Sequence, residues 1–440
     1  MSINRSDEIL TFKSFWNSFF AVFMVIAVTS NYNLLFRIYI GDEIRQLLII
    51  MLLSGIILYS IFYLLFLYDN KIIINKNEKG LILMILTLMV FMLLQGFYNS
   101  MNLISIKYCF YFSLLFIIIL KGVNFVTIRL LGLYFIGLMF FSSLFVIIQF
   151  LLLTIFHGGD LSSFSIISQT LVDRGSQAYV NPYGLGLLEA GNLIFQINDY
   201  DFIRASSFSD EPKYFSQLLL LSICTTLIIV RNYLALKWLI FVNFLALCLA
   251  ASLTAFIIIA ITFFLFKLRH KLNALLVTFI MTAGLVFLPL VVLFFLRDIL
   301  PVDTYIYQKI NSAMISTFAI SSNIFDISLF GSSLDSGNIE QRSPIMSFIG
   351  RYGFLGYALI HIFLYFMWKR VFHFIRLNGM NSRKNNRTEF ALFLIMISYY
   401  IYPLTFFYDI FTPIYLCMFI LLLFTISNYQ ILQNKNQNQS

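Results

Sequence analysis

The sequence predicts an all-α polytopic membrane protein, a single integral domain over residues 1–440 that crosses the bilayer about twelve times. Composition is the first reason: 60% of the residues are hydrophobic and 11% are charged, whereas an ordinary soluble domain is about 25% charged. Apolar runs of roughly 17–25 residues, long enough to cross a bilayer as a helix, also recur along the chain. Because these runs are continuous rather than alternating, they favour helices over a β-barrel.

Twelve spans are predicted in chain order, with approximate boundaries. The fourth has Lys107 near its start, and no cleavage-site pattern follows the first, so we expect the first to be a retained helix and not a signal peptide. The apolar stretch from Trp238 to Phe266 is long enough for one helix. We divide it near Ala251–Ser252, because two basic turns on either side then lie on the same side of the membrane. The spans are 15–31, 47–68, 81–98, 103–120, 130–156, 213–230, 233–250, 252–267, 273–296, 345–368, 389–407 and 413–428.

Basic residues give the predicted orientation, because short cytoplasmic loops of membrane proteins are enriched in lysine and arginine. With both termini in the cytoplasm, most of the 29 Lys and Arg residues fall in cytoplasmic segments. The densest basic run, 369–387, would lie against anionic lipid headgroups. This placement accounts for the net charge of +9 without nucleic acid as a partner. Two long segments, 157–212 and 297–344, then lie outside the cytoplasm.

The end of the first outer segment crowds charges and hydroxyls against the next span, in the run Arg204-Ala-Ser-Ser-Phe-Ser-Asp-Glu-Pro-Lys-Tyr-Phe. Part of this run is typical of a helix start, where Ser or Asp caps, proline occupies the first turn and acids favour the positive end of the helix dipole. The same helix start would also present Glu211 to a hydroxyl, with Asp210 and Tyr214 as further substrate contacts. Arg204 suits a diphosphate, because its planar fork gives paired charge-assisted hydrogen bonds.

The end of the second outer segment carries two further arginines, Arg342 and Arg351, and leads into the tenth predicted span. Arg351 falls about two turns inside that span, and an arginine at membrane depth marks either a function or a side chain that reaches the headgroups. Gly350, Gly353 and Gly356 surround it and would open room for a ligand or for a closely packed helix. We favour the functional interpretation.

No metal or cofactor is expected from the remaining motifs. Asp199-Tyr200-Asp201 matches a pattern that binds metal–nucleotide sugars in some enzymes, but three residues are too few to assign a site. His157 and His361 have no neighbours in sequence that require a metal or a catalytic triad, and we interpret them as interface or core residues. Phosphate-binding glycine loops, zinc-protease motifs and nucleophile elbows are missing from the sequence. The four cysteines lie in apolar runs without ligand spacing, and no disulfide is expected: Cys109, Cys224, Cys248 and Cys417.

The layout resembles the Wzy-type polymerases of bacterial O-antigen and capsule repeat units, together with the related O-antigen ligases. The shared features are an all-helical chain of this size, two long outer loops, and a short sequence element at the end of the first loop. In chain order, this element has an arginine, then a serine or a glycine, then a phenylalanine, and finally a Glu-Pro or Asn-Pro pair. Here that element reads Arg204, Ser207, Phe208, Glu211 and Pro212. Many relatives carry His-Asn near the end of the second loop, where this chain has Arg342-Ser343.

The resemblance implies a metal-independent, inverting glycosyl transfer on a glycosyltransferase-C-like fold at the outer face of the bacterial cytoplasmic membrane. A hydroxyl of an incoming lipid-linked repeat unit would attack the anomeric carbon of a glycan carried on undecaprenyl diphosphate. Arg204 and Arg351 would hold the diphosphate, with Arg342 and Arg174 as further cations, and Glu211 would position the acceptor or act as base. A chain-length regulator is a partner implied by the family alone.

Two alternatives stay open at the level of sequence. The first is the ligase branch, which transfers finished glycan to another acceptor by the same chemistry. The second is a flippase of lipid-linked sugars, which predicts charged residues along a central path and pseudo-symmetric halves. This chain shows no internal repeat and places its unusual charges in the outer segments, so we rank polymerase first, ligase second and flippase third.

Overall fold

A computed structural model of the chain describes most of its apolar segments and short pieces of the segment 157–212. The described residues are 15, 17–26, 29, 42–62, 64–65, 76–98, 103–119, 125–151, 166–167, 178–180, 187–189, 193–197, 200–203, 207, 212–284, 344–378, 386–406, 417–423 and 425–426. The segment 297–344, which the sequence predicts to be outside the cytoplasm, is not among them except for its last residue.

Helices dominate the described part of the chain, and each of the twelve predicted spans overlaps one of them. Residues 417–423 and 425–426 form the last, α12. The others are α1 (Asn17–Ile26), α2 (Asp42–Phe62), α3 (Lys76–Tyr98), α4 (Leu103–Ile119), α5 (Phe125–Phe150), α6 (Pro212–Ile229), α7 (Tyr233–Leu249), α8 (Leu253–Lys267), α9 (Ala274–Gly284), α10 (Pro344–Asn378) and α11 (Asn386–Phe406).

Three helical segments in the described part of the chain are long and apolar enough to cross a membrane: Glu78–Gly96, Val126–Phe150 and Tyr352–Arg376. Their surfaces fit that role. Along α3, the exposed large side chains Leu83, Leu86, Val90 and Leu93 recur at intervals of three and four residues. A continuous apolar face of this kind would favour aggregation in water and is solvated by lipid. The fold therefore indicates a protein that associates with a membrane through apolar helices.

The segment 157–212 adds a feature that the all-α expectation did not include, since it contains five short strands. The strands are β1 (Ile166–Ile167), β2 (Ala178–Val180), β3 (Leu187–Glu189), β4 (Leu193–Ile197) and β5 (Tyr200–Ile203). An antiparallel three-stranded sheet has the order β1-β2-β3, and β4 pairs with β5 in a separate antiparallel hairpin. The expectation that this segment is folded agrees with these pairings.

Helix α6 occupies the centre of the bundle. Every side chain from Phe215 to Thr226 is buried, and α6 packs against α5, α7, α8 and α11. Helix α11 is buried in the same way over 391–402. A helix that is covered on all sides belongs to the core of a large bundle. The helix that follows the charged run at 204–211 is therefore the element around which its neighbours are arranged.

Buried polar side chains connect α6 to two of these neighbours. Ser143 Oγ donates to Asn243 Oδ1 at 2.9 Å, and Asn243 Nδ2 donates to Ser222 Oγ at 3.0 Å. These two hydrogen bonds join α5, α7 and α6 through residues that are all buried. In an apolar environment such interhelical hydrogen bonds and close packing hold helices together.

Helices α5 and α6 run antiparallel and approach closely at Gly132. A Cβ atom added to Gly132 would collide with the Ile229 side chain and lie 3.0 Å from Thr225 Cγ2. Since Ile229 ends α6 and Gly132 lies near the start of α5, these two ends lie together. The opposite ends, at Gln149 and Ser207, are joined by a hydrogen bond.

One end of the bundle collects basic residues, and we name it the basic end. Two ion pairs hold helix ends together there: Arg370 Nη2 lies 3.0 Å from Glu78 Oε1, and Arg269 Nε lies 2.9 Å from Glu389 Oε2. They join the start of α3 to the last third of α10, and the turn after α8 to the start of α11. The basic end carries Lys79, Arg129, Arg231, Lys237, Lys267, Arg269, Lys271, Lys369, Arg370, Arg376 and Arg387. We name the opposite end, with Gln149, Pro212 and Pro344, the far end.

Candidate functional site

The candidate site lies at the far end, where the chain turns into α6. The helix begins at Pro212, as the helix-start interpretation of the sequence predicts, because proline lacks only an N–H that would be unpaired in the first turn anyway. Arg204 follows directly after the last residue of β5, and Glu211 directly precedes α6. Both residues, together with Asp210, lie outside the described residues.

Ser207, between Arg204 and Glu211, is buried and strained. It is 2% exposed and has a φ of 53°, in the left-handed region. An L-residue in this conformation costs roughly 1–2 kcal/mol, and serine has no means to avoid that cost as glycine does. Strained residues of this kind persist only where their surroundings hold them, and they cluster at functional sites.

A side chain from α5 holds the turn at Ser207. The Ser207 backbone N–H donates a hydrogen bond to Gln149 Oε1 at 3.2 Å. Gln149 is 3% exposed at the end of α5, so the bond fastens the turn to a neighbouring helix. Among the described residues, Gln149 Nε2 has no hydrogen-bond partner. Turning the amide over would point two N–H donors at each other, so the bond to Ser207 fixes which amide atom faces the turn.

Tyr214 is the one predicted site residue whose side chain lies in the described part of the chain. It occupies the first turn of α6, is half-buried and packs against the hydrophobic core. Its ring therefore helps to anchor the start of α6 in the bundle. Its predicted contact with substrate stays a prediction.

Arg351 lies in the first turns of α10, at the far end. Helices α6 and α10 both pack against α11 and both begin at this end. The backbone of Arg351 lies within α10, and its side chain is outside the described part of the structure, as are Arg174 and Arg342. The structure thus places the starts of α6 and α10 at the same end of the bundle. That Arg204 and Arg351 hold one diphosphate stays a prediction.

Two of the glycines near Arg351 have distinct structural roles. Gly353 interrupts α10 with φ 68° and ψ 179°, a combination that is essentially restricted to glycine. A Cβ on Gly356 would lie 3.0 Å from ring atoms of Phe91 on α3 and 2.7 Å from Tyr352 Cβ. The sequence offered two interpretations of these glycines, room for a ligand or a closely packed helix. At Gly356 the structure supports the closely packed helix.

Buried amides in the apolar helices are the functional candidates that sequence reasoning missed. Gln217, in the second turn of α6, is 0% exposed, and in the described part of the chain neither its Nε2 nor its Oε1 has a hydrogen-bond partner. Gln149 and Asn243 are also amides within apolar runs. A polar side chain inside a membrane-spanning run is costly and by default marks a packing or functional role, so this signal was present in the sequence.

His361 is a core residue, as the sequence interpretation expected. It is buried in α10, its Nδ1 lies 2.8 Å from the Tyr357 carbonyl oxygen, and its ring centre is 4.2 Å from that of Tyr357. Across the described ranges, no group of three or more His, Cys, Asp or Glu side chains is placed to hold a metal ion. The four cysteines are free thiols.

No protein-family model, curated protein or solved structure matches this chain.

Proposed function

We propose that this protein polymerises undecaprenyl-diphosphate-linked oligosaccharide repeat units into a bacterial surface polysaccharide. The reaction is an inverting glycosyl transfer in the cytoplasmic membrane, with the basic end of the bundle in the cytoplasm and the far end outside. The ligase reaction is the second candidate because it uses the same chemistry with a different acceptor.

The observation that carries this proposal is the strained, buried turn at Ser207. The turn lies between Arg204 and Glu211 in sequence, just before a helix that is buried on all sides from Phe215 to Thr226, and at the end opposite the basic residues. A bundle that holds an unfavourable backbone conformation at the start of its central helix is typical of a site where geometry matters for chemistry. The same end of the bundle holds the start of α10, where Arg351 lies.

The proposed chemistry uses cations to stabilise the leaving diphosphate. A hydroxyl of the acceptor repeat unit attacks the anomeric carbon of the growing glycan, and the bond from that carbon to the diphosphate oxygen breaks. Arg204 and Arg351 neutralise charge that develops on the diphosphate, the kind of electrostatic stabilisation that contributes most to many enzymes. Glu211 orients the attacking hydroxyl or takes its proton. Membrane helices fix the two large substrates relative to each other.

A glycan-length assay in a strain that lacks this gene tests the proposal. Expression of the native chain restores long polysaccharide, whereas Arg204→Ala, Glu211→Ala and Arg351→Ala give single repeat units on the final acceptor at matched protein levels. Arg231→Ala is the matched control, because Arg231 is an exposed arginine at the basic end. Normal chain lengths from all three site variants would rule out the proposed site. Full-length but unattached glycan in the deletion strain would instead indicate a ligase.

Reporter fusions test the orientation separately. A reporter that is active only outside the cytoplasm is inserted within 157–212 in one fusion and in the turn at Lys271 in another. We expect activity from the first fusion alone. Activity from the turn at Lys271 and none from 157–212 would place the site on the wrong side of the membrane for this reaction.

A further inference from the structure

The hydrogen bond between Gln149 and Ser207 is the contact in the described structure that fastens the candidate site to the helix bundle. Ser207 is almost fully buried, so its N–H needs a partner within the protein. The partner is a side chain 58 residues away in sequence, at the end of α5. The backbone of the turn is therefore set by α5 rather than by the outer segment alone.

The turn needs this support because its conformation is unfavourable for serine. At φ 53° the Cβ atom of an L-residue crowds the following carbonyl oxygen. Without an acceptor for its N–H, Ser207 would gain by moving to the ordinary right-handed or extended region. Such a move rotates the chain on both sides of Ser207, within the run that carries Arg204 and Glu211 in sequence.

We propose that Gln149 is a positioning residue for the glycosyl transfer. Its side-chain carbonyl holds Ser207 in the left-handed conformation and thereby sets where Arg204 and Glu211 meet the substrate. This inference rests on the proposed function for its consequence in catalysis. Its structural part, that the Gln149 carbonyl holds the turn, stands on the geometry alone.

The stability of the Gln149→Leu variant distinguishes a positioning role for Gln149 from a purely structural role. Gln149→Leu leaves the Ser207 N–H without an acceptor, which destabilises the protein. It also removes Nε2, a buried donor with no partner among the described residues, which stabilises the protein. Because unpaired buried groups carry comparable penalties, the two effects oppose each other. The thermal midpoint should therefore stay within about 4 °C of the native value.

Turnover is expected to fall much further than stability. A displacement of reacting groups by about 1 Å can cost on the order of 100-fold in rate. We therefore expect Gln149→Leu to lower the kcat of the purified, reconstituted protein by about 100-fold, with KM for the lipid-linked repeat unit little changed. Gln149→Glu keeps an acceptor oxygen in either protonation state and is expected to retain most of the turnover.

A second-site change tests the link to the strained backbone. Glycine adopts a positive φ without steric cost, so Ser207→Gly combined with Gln149→Leu should recover part of the turnover that Gln149→Leu loses. Thr226→Val is the matched control. Thr226 is buried in α6, and its hydroxyl has no hydrogen-bond partner in the described residues, but it lies toward the basic end. We expect native kcat from this variant.

Hydrogen exchange of the peptide that contains Ser207 gives a readout that does not depend on any glycan product. Faster exchange in Gln149→Leu than in the native protein and in Thr226→Val is expected. Unchanged exchange, native kcat in Gln149→Leu, or a large parallel loss of stability and turnover would each overturn the inference. If Arg204→Ala and Glu211→Ala leave glycan length normal while exchange at Ser207 changes as expected, the proposed function fails and the structural role of Gln149 stands.

Discussion

Loss of Glu78 should destabilise the protein severely, because it leaves a buried arginine without its counter-ion. Arg370 and Glu78 lie 3.0 Å apart, with side chains 10% and 9% exposed. At this separation and an effective dielectric constant of about 20, the attraction is about 5.5 kcal/mol. Breaking a buried ion pair by removing one partner typically costs about 3–5 kcal/mol. Glu78→Leu is therefore expected to lower the folding equilibrium constant by a factor of roughly 100 to 4,000.

Three further variants show whether the loss comes from the unpaired charge. Arg370→Met breaks the same pair from the other side, so it should also destabilise the protein. The double variant Glu78→Leu/Arg370→Met removes both charges and should recover most of the lost stability, since apolar replacements of a buried pair are often neutral. Lys79→Leu, at the exposed neighbouring position, should stay within about 0.5 kcal/mol of the native protein.

The second ion pair, between Arg269 and Glu389, provides a comparison. Arg269 also donates to Asn386 Oδ1 at 3.0 Å and to the Phe266 carbonyl oxygen at 3.1 Å, and it is 15% exposed. Glu389→Leu should thus cost less than Glu78→Leu. The assay is reversible unfolding in detergent micelles titrated with SDS. A cost below about 1 kcal/mol for Glu78→Leu, the range of surface pairs, would refute the reasoning, as would a double variant no more stable than Glu78→Leu.

Three further predictions concern helix contacts, each measured as the thermal midpoint in detergent. Gly132→Ala should destabilise the protein because its Cβ would meet the Ile229 side chain. Gly137→Ala on the same helix, with open space around it, should be neutral or stabilising. Equal effects of the two variants would contradict the close approach of α5 and α6. Gly353→Ala should cost about 1–3 kcal/mol because of its positive φ, and a native midpoint would show that the interruption of α10 is not maintained. Asn243→Leu should cost about 0.6–2 kcal/mol because it removes both hydrogen bonds that join α5, α6 and α7, and a gain in stability would argue against that connection.

The helices were predictable from the sequence because their apolar runs are long and because the residues that begin and end them act locally. The division near Ala251–Ser252 is confirmed: α7 ends at Leu249 and α8 begins at Leu253. Ala251 takes a φ of 45° there, a conformation in which helices commonly end. Rings of Phe244 and Phe256 on the two helices then lie 6.5 Å apart, as expected when the chain folds back.

The contacts of the candidate site were not predictable, because they join residues far apart in sequence. Nothing in the run around Ser207 indicates that its N–H is held by Gln149, and the amide of Gln217 is a single polar residue in an apolar run. The ion pair between Glu78 and Arg370 joins residues 292 positions apart. Periodicity and composition describe each helix by itself, whereas these pairings depend on how the helices pack.

The strands of the segment 157–212 were missed for a related reason. They are two to five residues long, too short for an alternating pattern to stand out. Their pairing is antiparallel and joins strands that follow one another in sequence. By contrast, proline chemistry predicts that Pro212 lies in the first turn of α6, and the helix begins there, one residue before the predicted span of 213–230.

The most direct test of the central claim is a reconstituted reaction of the purified chain in liposomes with one defined undecaprenyl-diphosphate-linked repeat unit. We expect a ladder of products that grow by whole repeat units, with free undecaprenyl diphosphate released at each step, and no ladder from the Arg204→Ala variant. Unextended substrate with the native chain, or an identical ladder from Arg204→Ala, would contradict the account.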